Sequence, residues 1–220
     1  MDIILITLKI ATVAILINVP IAIWLAYLLT KLGLKLRFII EILISLPLAL
    51  PPVVTGYALL IVLSPNSLIG DMFHRLVGQD IVFTWVAASL ASAIVSFPLT
   101  IRPIIISFDN IDEILIRSSR SLGAGPYRTF INLIIPLSYN SILAGGLLGF
   151  TRALGEFGAT IMVAGNIPGV TQTLPLAIYK KVQLGNDTGA FGLILLSLLI
   201  AVLSIGMHNW LITRSRITNT

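Results

Sequence analysis

The sequence predicts an all-α, polytopic membrane protein with about five membrane-spanning helices, on three observations. Only 10% of its 220 residues are charged and 57% are hydrophobic, whereas soluble domains carry about 25% charged residues. Mean hydropathy is +1.03, so too few charges exist to coat a water-soluble fold, and the bilayer is the expected solvent. Five apolar stretches, roughly 6–29, 39–63, 82–101, 137–163 and 189–212, are each long enough to cross when a span takes about 20 residues. No fixed-period repeat and no low-complexity linker divides the chain, which reads as a single domain over 1–220.

The first stretch follows Met1-Asp2 rather than a basic region, and its apolar run is too long for a cleaved signal, so a retained helix is expected. The second contains Pro47, Pro51 and Pro52, followed by Thr55 and Gly56. Proline removes helical hydrogen bonds, and such breaks persist in membranes where protein or water satisfies the freed groups. A bent, pore-lining helix is expected there, with a merely kinked packing helix as the other reading. The third stretch ends at Arg102. The fourth carries Gly145 and Gly149 in a GxxxG spacing, then Gly155 and Gly158. Small residues let helices approach closely, either within one subunit or at a dimer seam.

Positive charge sets the expected orientation. One set of connections holds Lys31, Lys35, Arg37, Arg102, Arg117, Arg120, Arg128, Arg214 and Arg216, and the opposite set holds Arg75, Lys180 and Lys181. The richer set is expected in the cytoplasm, with the N-terminus outside and the C-terminus inside. Lys9 and Arg152 fall within spans. Between Arg102 and Pro136, Asn110 and Glu113 fit a capping box. Glu113 to Leu122 has helical spacing, with Ile114, Leu115 and Leu122 on an apolar side. Gly123-Ala124-Gly125 breaks the helix, and Pro126 can open another. Two short helices within about 110–133 therefore meet at a glycine turn.

Other chemistries are excluded or disfavoured. With no cysteine there is no disulfide, thiolate metal site or cysteine catalysis. His74 and His208 have no partner at metal-ligand spacing. The net charge of +5 comes without a basic run interleaved with aromatics, so nucleic acid is not an expected partner. No GxxxxGK[ST] run exists, and Gly123 to Gly125 lacks the following Gly-Lys, so the chain has no P-loop.

The segment RSSRSLGAGPYRTFINLIIPL resembles the EAA loop of bacterial ATP-binding-cassette importer permeases. The family's glycine and the proline thirteen residues on match Gly123 and Pro136. Arg117-Ser118-Ser119 replaces the family's Glu-Ala-Ala, which removes its glutamate contact but not the helix-turn-helix. The run from Thr151 to Tyr179, together with PLALPPVVTGY at Pro47 to Tyr57, is similar to molybdate permeases, and sulfate permeases carry a related version. The resemblance implies a MetI-like transmembrane domain in the plasma (inner) membrane that moves molybdate by alternating access. It also implies a homodimer of permeases, two ATPase subunits that bind ATP and magnesium, and an extracytoplasmic oxyanion-binding protein. No cofactor is then held by this chain, which is not itself an enzyme. The coupling loop would comprise Arg117, Ser118, Ser119, Leu122, Gly123, Ala124, Gly125, Pro126 and Pro136.

Candidate residues of the substrate path or gate are Pro51, Pro52, Thr55, Thr151, Arg152 and Glu156. Intramembrane ionisable groups usually face a partner or an aqueous cavity. At i,i+4 spacing Arg152 and Glu156 can pair as an internal salt bridge, or Arg152 can serve as a cationic point on an anion path. The polar loop Asn166 to Pro175 could touch a binding protein or line the outer mouth. Tungstate and sulfate are alternative cargoes. A secondary transporter would need inverted repeats and intramembrane carboxylates, and only Glu156 sits deep; a purely structural subunit would not need the loop.

Overall fold

A computed structural model describes the backbone of residues 2–217 and the side chains of residues 2–210. The side chains of Arg214 and Arg216, counted above for orientation, lie outside the described residues. Among the described residues all regular structure is helical: α1 (Asp2–Leu29), α2 (Leu34–Ala49), α3 (Pro52–Leu63), α4 (Leu68–Val77), α5 (Trp85–Asp109), α6 (Glu113–Ser121), α7 (Pro126–Thr129), a π-helical turn (Phe130–Ile134), α8 (Ile135–Leu137), α9 (Tyr139–Leu154), α10 (Gly158–Ala164), α11 (Leu174–Gln183) and α12 (Asp187–Ile217).

Three helices are long and apolar enough to cross a membrane alone, namely α1, α5 and α12, and two bent pairs raise the number of possible spans to five. The bundle has two ends. Ala26 and Leu29 of α1 cluster with Phe108 of α5, Ile134 and Ile142; this is the loop end. Ile10 of α1 clusters with Leu63, Ala87, Ala91 and Val163 at the far end. Thus α1 and α5 run parallel and α9 returns between the ends. At mid-height Ala11, Ala14, Ala93 and Ala153 allow the three helices to close on one another. There Asn18 Nδ2 donates to the Ala93 carbonyl at 2.9 Å and to Ser96 Oγ at 3.0 Å, both buried. A buried amide needs such partners, so the bond also fixes the register of α1 on α5.

The expected second span is not one helix. It breaks into α2 and α3, inclined by 108°. Pro47 lies inside α2 without ending it. The break falls at Leu50 and Pro51, whose ψ angles are 145° and 132°. Each precedes a proline, and a proline excludes the helical region for the residue before it. Two such residues in succession turn the chain.

The expected fourth span is also discontinuous. The segment Pro126–Leu137 meets α9 at 68°, and α9 ends at Leu154, four residues before the short α10 begins. Pro136 supplies no N–H to the preceding turn, and the π-helical turn Phe130–Ile134 absorbs the mismatch. Gly145 and Gly149 both face Thr100 of α5, so the GxxxG packs inside the subunit. Gly158 lies against Pro52 and Val53, and Gly56 lies against Ala159 and Met162, which lets α3 and α10 cross with backbones nearly touching. Gly155 is exposed and packs on nothing comparable.

Candidate functional site

The glycine turn projects from the loop end. Its first helix begins at Asp112, whose side chain accepts from the Ile114 N–H at 2.8 Å. The capping box expected from Asn110 does not form, because α5 runs on to Asp109 and Asn110 closes it as the C-cap. Gly123 has φ +85°. The Ala124 N–H reaches the Ser119 carbonyl at 3.1 Å, and the Gly123 N–H reaches the Arg120 carbonyl at 3.0 Å. These bonds make a Schellman ending, which wants glycine at its left-handed position. Gly125 caps α7 and Pro126 opens it.

Across the turn Ser119 Oγ and Thr129 Oγ1 stand 3.2 Å apart and tie the two helices together. Arg117 pairs with Glu113 at 2.9 Å, both exposed. Ser118 accepts the Leu122 N–H through its carbonyl. Ile114, Leu115 and Leu122 are exposed, Leu122 at 89%. A groove between the helices is lined by Leu115, Ser119, Leu122, Gly123, Ala124, Arg128 and Leu133. Pro136 lies at the far end of the second helix, outside this groove. The loop therefore presents an apolar tip and a groove with a basic edge, held in shape by its own backbone.

The path candidates do not gather into one site. Arg152 Nη1 lies 2.8 Å from Glu156 Oε2 as an ion pair outside good hydrogen-bond alignment, with Arg152 29% and Glu156 1% exposed. The other carboxylate oxygen accepts the Ala159 N–H at 2.8 Å. Glu156 thus joins α9 to the first turn of α10, and Arg152 neutralises it. Of the two readings open for the pair, this geometry favours the internal salt bridge. Thr151 Oγ1 bonds back to the Leu147 carbonyl. Thr55 is buried at the α3–α10 crossing, and Pro51 and Pro52 form the break itself.

Sequence reasoning missed a second polar region. Arg37, Glu41 and Ser45 stand one turn apart on α2 and face Arg102 and Asp109 of α5 across a cleft. Arg102 was expected in the loop, because an apolar window stops at the first arginine. It lies instead within α5, seven residues before its end, or about 10 Å along the axis. Arg37 spans both acids, with Nε 2.7 Å from Glu41 and its two terminal nitrogens 3.0 Å and 2.5 Å from Asp109. Arg102 bonds Ser45 Oγ at 2.9 Å. The i,i+4,i+8 spacing of Arg37, Glu41 and Ser45 was the available sequence signal.

The loop Asn166 to Pro175 sits against the start of α1. Its polar side chains turn inward: Thr171, Gln172 and Thr173 are buried. Gln172 bonds Asn166 at 2.9 Å, and the Leu174 N–H donates to Thr7 Oγ1 of α1 at 2.9 Å. What it exposes is the apolar tip at Ile167 and Val170. Asn186 caps α12, accepting the Gly189 N–H at 2.9 Å.

Comparison with known proteins agrees with this architecture. The family described as binding-protein-dependent transport system inner membrane component matches residues 18–217. The molybdenum transport system permease protein of Escherichia coli (strain K12) is 38% identical over 214 residues, covering 97% of this chain and 93% of that protein. The protein of the same name from Haemophilus influenzae is 41% identical over 209 residues, covering 94% and 91%. Among solved structures, a bacterial ABC transporter involved in the import of the acidic polysaccharide alginate superposes with a TM-score of 0.71. It covers 100% of this chain and 79% of that one at 15% identity, a likeness of fold alone.

Proposed function

The chain belongs to the family of binding-protein-dependent transport system inner membrane components, and on that premise we propose that it is the permease subunit of an ATP-driven importer for molybdate. The observation that carries the coupling role is the loop-end turn, a rigid helix-turn-helix with exposed Leu122 and an open groove. Its folded partner in this reading is an ATP-binding-cassette ATPase. ATP and magnesium belong to that partner, and this chain is not catalytic. The loop end faces the cytoplasm of an inner membrane, which puts the N-terminus outside.

Two copies of the chain enclose the path, two ATPases drive it and an extracytoplasmic oxyanion-binding protein delivers the cargo. Closure of the ATPases draws the paired loops together and rocks the helices from inward-facing to outward-facing. Switching a state almost completely needs about 5.5 kcal/mol of differential affinity, a demand that ATP-driven closure meets and weak anion binding does not. The molybdate assignment rests on the relatives' names and their near full-length match. Uptake of labelled molybdate into proteoliposomes holding all subunits should require ATP and the binding protein. Uptake driven by a proton gradient alone would sink the importer reading; preferential uptake of tungstate or sulfate in competition would reassign the cargo.

A further inference from the structure

We propose that the cleft between α2 and α5 of each copy lines the inner stretch of the oxyanion path that the two copies enclose, and that Arg102 is the residue that touches the anion there. The proposal rests on the importer reading above and names a site within it. Ionisable groups inside apolar helices face a cavity or a partner, and this cleft gathers Arg37, Glu41, Arg102 and Asp109. Its charges are not equivalent. Both carboxylates are engaged by Arg37, which gives three hydrogen bonds to them. Arg102 is exposed and donates to the neutral Ser45 hydroxyl. A guanidinium carries five N–H donors in a planar fork suited to oxyanions, so Arg102 keeps donors to offer.

Arg152, the arginine first considered for this role, is committed to Glu156. The cleft also opens where a path should. It begins beside Asp109, three residues before the cap of α6, and continues along α2 through Ser45, Leu46 and Ala49 to the break at Leu50. Glu41 and Asp109 near Arg102 keep a dianion from binding tightly, and a conducting site must release its cargo.

The chain has no cysteine, which makes the test direct. In the complete importer, the Ser45→Cys variant is treated with a sulfonate-bearing (anionic) and a trimethylammonium-bearing (cationic) methanethiosulfonate, and modification of this chain is read by mass. The anionic reagent should react severalfold faster, because Arg102 is the cleft charge that pairs with no acid. Molybdate should slow it, and adding Arg102→Gln should abolish the preference while Arg102→Lys keeps it. Ile106→Cys, on the same cleft, serves if Ser45→Cys fails to assemble. No modification in an importer that transports, or a preference unchanged by Arg102→Gln, overturns the proposal. Absence of ATP-dependent molybdate uptake by the unmodified importer would count against the importer reading instead, since the charge preference is read without transport.

Discussion

At the loop end, Gly123 holds a φ of +85° with no atom within 4 Å of where a Cβ would stand. In the bundle, Gly145 has an ordinary helical backbone, yet a Cβ there would run into the Thr100 carbonyl oxygen of α5. The first glycine is demanded by the conformation of its own residue, the second by a helix distant in sequence. The same contrast separates the charges. Arg117 and Glu113 pair on a solvent-facing helix, one turn apart. Arg152 and Glu156 have the same spacing, but Glu156 is buried. The sequence spacing is equal in the two pairs, but Glu156 lies past the end of α9, and the surroundings set what each is worth.

The largest expected effect breaks the interior. Gly145→Ala should separate α5 from α9 and cost about 3 kcal/mol or more. It should appear as lost membrane abundance and a lower melting temperature in detergent. A normal melting temperature would remove the close-approach argument. Next, Arg152→Gln leaves Glu156 buried without its counter-charge; because Arg152 is itself 29% exposed, the cost stays at or below about 3 kcal/mol, the low end for a buried pair. Glu156→Gln should cost less, because the amide oxygen still accepts the Ala159 N–H. If Arg152→Gln instead assembles normally and lowers uptake per molecule, the arginine serves the path.

Gly123→Val should cost about 1–2 kcal/mol, the penalty of a left-handed conformation for a residue with a Cβ. Its signature is ATP hydrolysis without uptake in an importer of normal abundance; coupled transport would remove the docking role. The smallest effect belongs to Arg117→Ala. An exposed pair at this spacing is worth about 0.3–0.5 kcal/mol, so stability and uptake should both stay near those of the parent. A large uptake loss would mean that side-chain charge at the docking turn, beyond its shape, is recognised.

The glycine turn was legible because every bond that makes it lies within a few residues. Asn110 reads in sequence as the cap of the next helix, but α5 continues past Arg102 to Asp109 and takes Asn110 as its own C-cap. The loop at Asn166 to Pro175 is polar in sequence. Its side chains face inward, where Thr171 Oγ1 accepts the Ile167 N–H and Gln172 donates to Asn166, and Thr7 of α1 accepts the Leu174 N–H. The prolines at 51 and 52 announced a break, though not the 108° turn that moves the second span out of line.

What the sequence determined by itself is the solvent of the fold, its helices and the glycine turn, since hydropathy, proline and left-handed glycine act locally. What only the tertiary structure decided is which charges remain available. Arg37, Arg102 and Arg152 are alike in sequence. One grips two acids, one is committed to a buried glutamate, and one is left with a serine. Coulomb and hydrogen-bond partners are assigned by contact in space, and those contacts form only when α2, α5 and α9 pack.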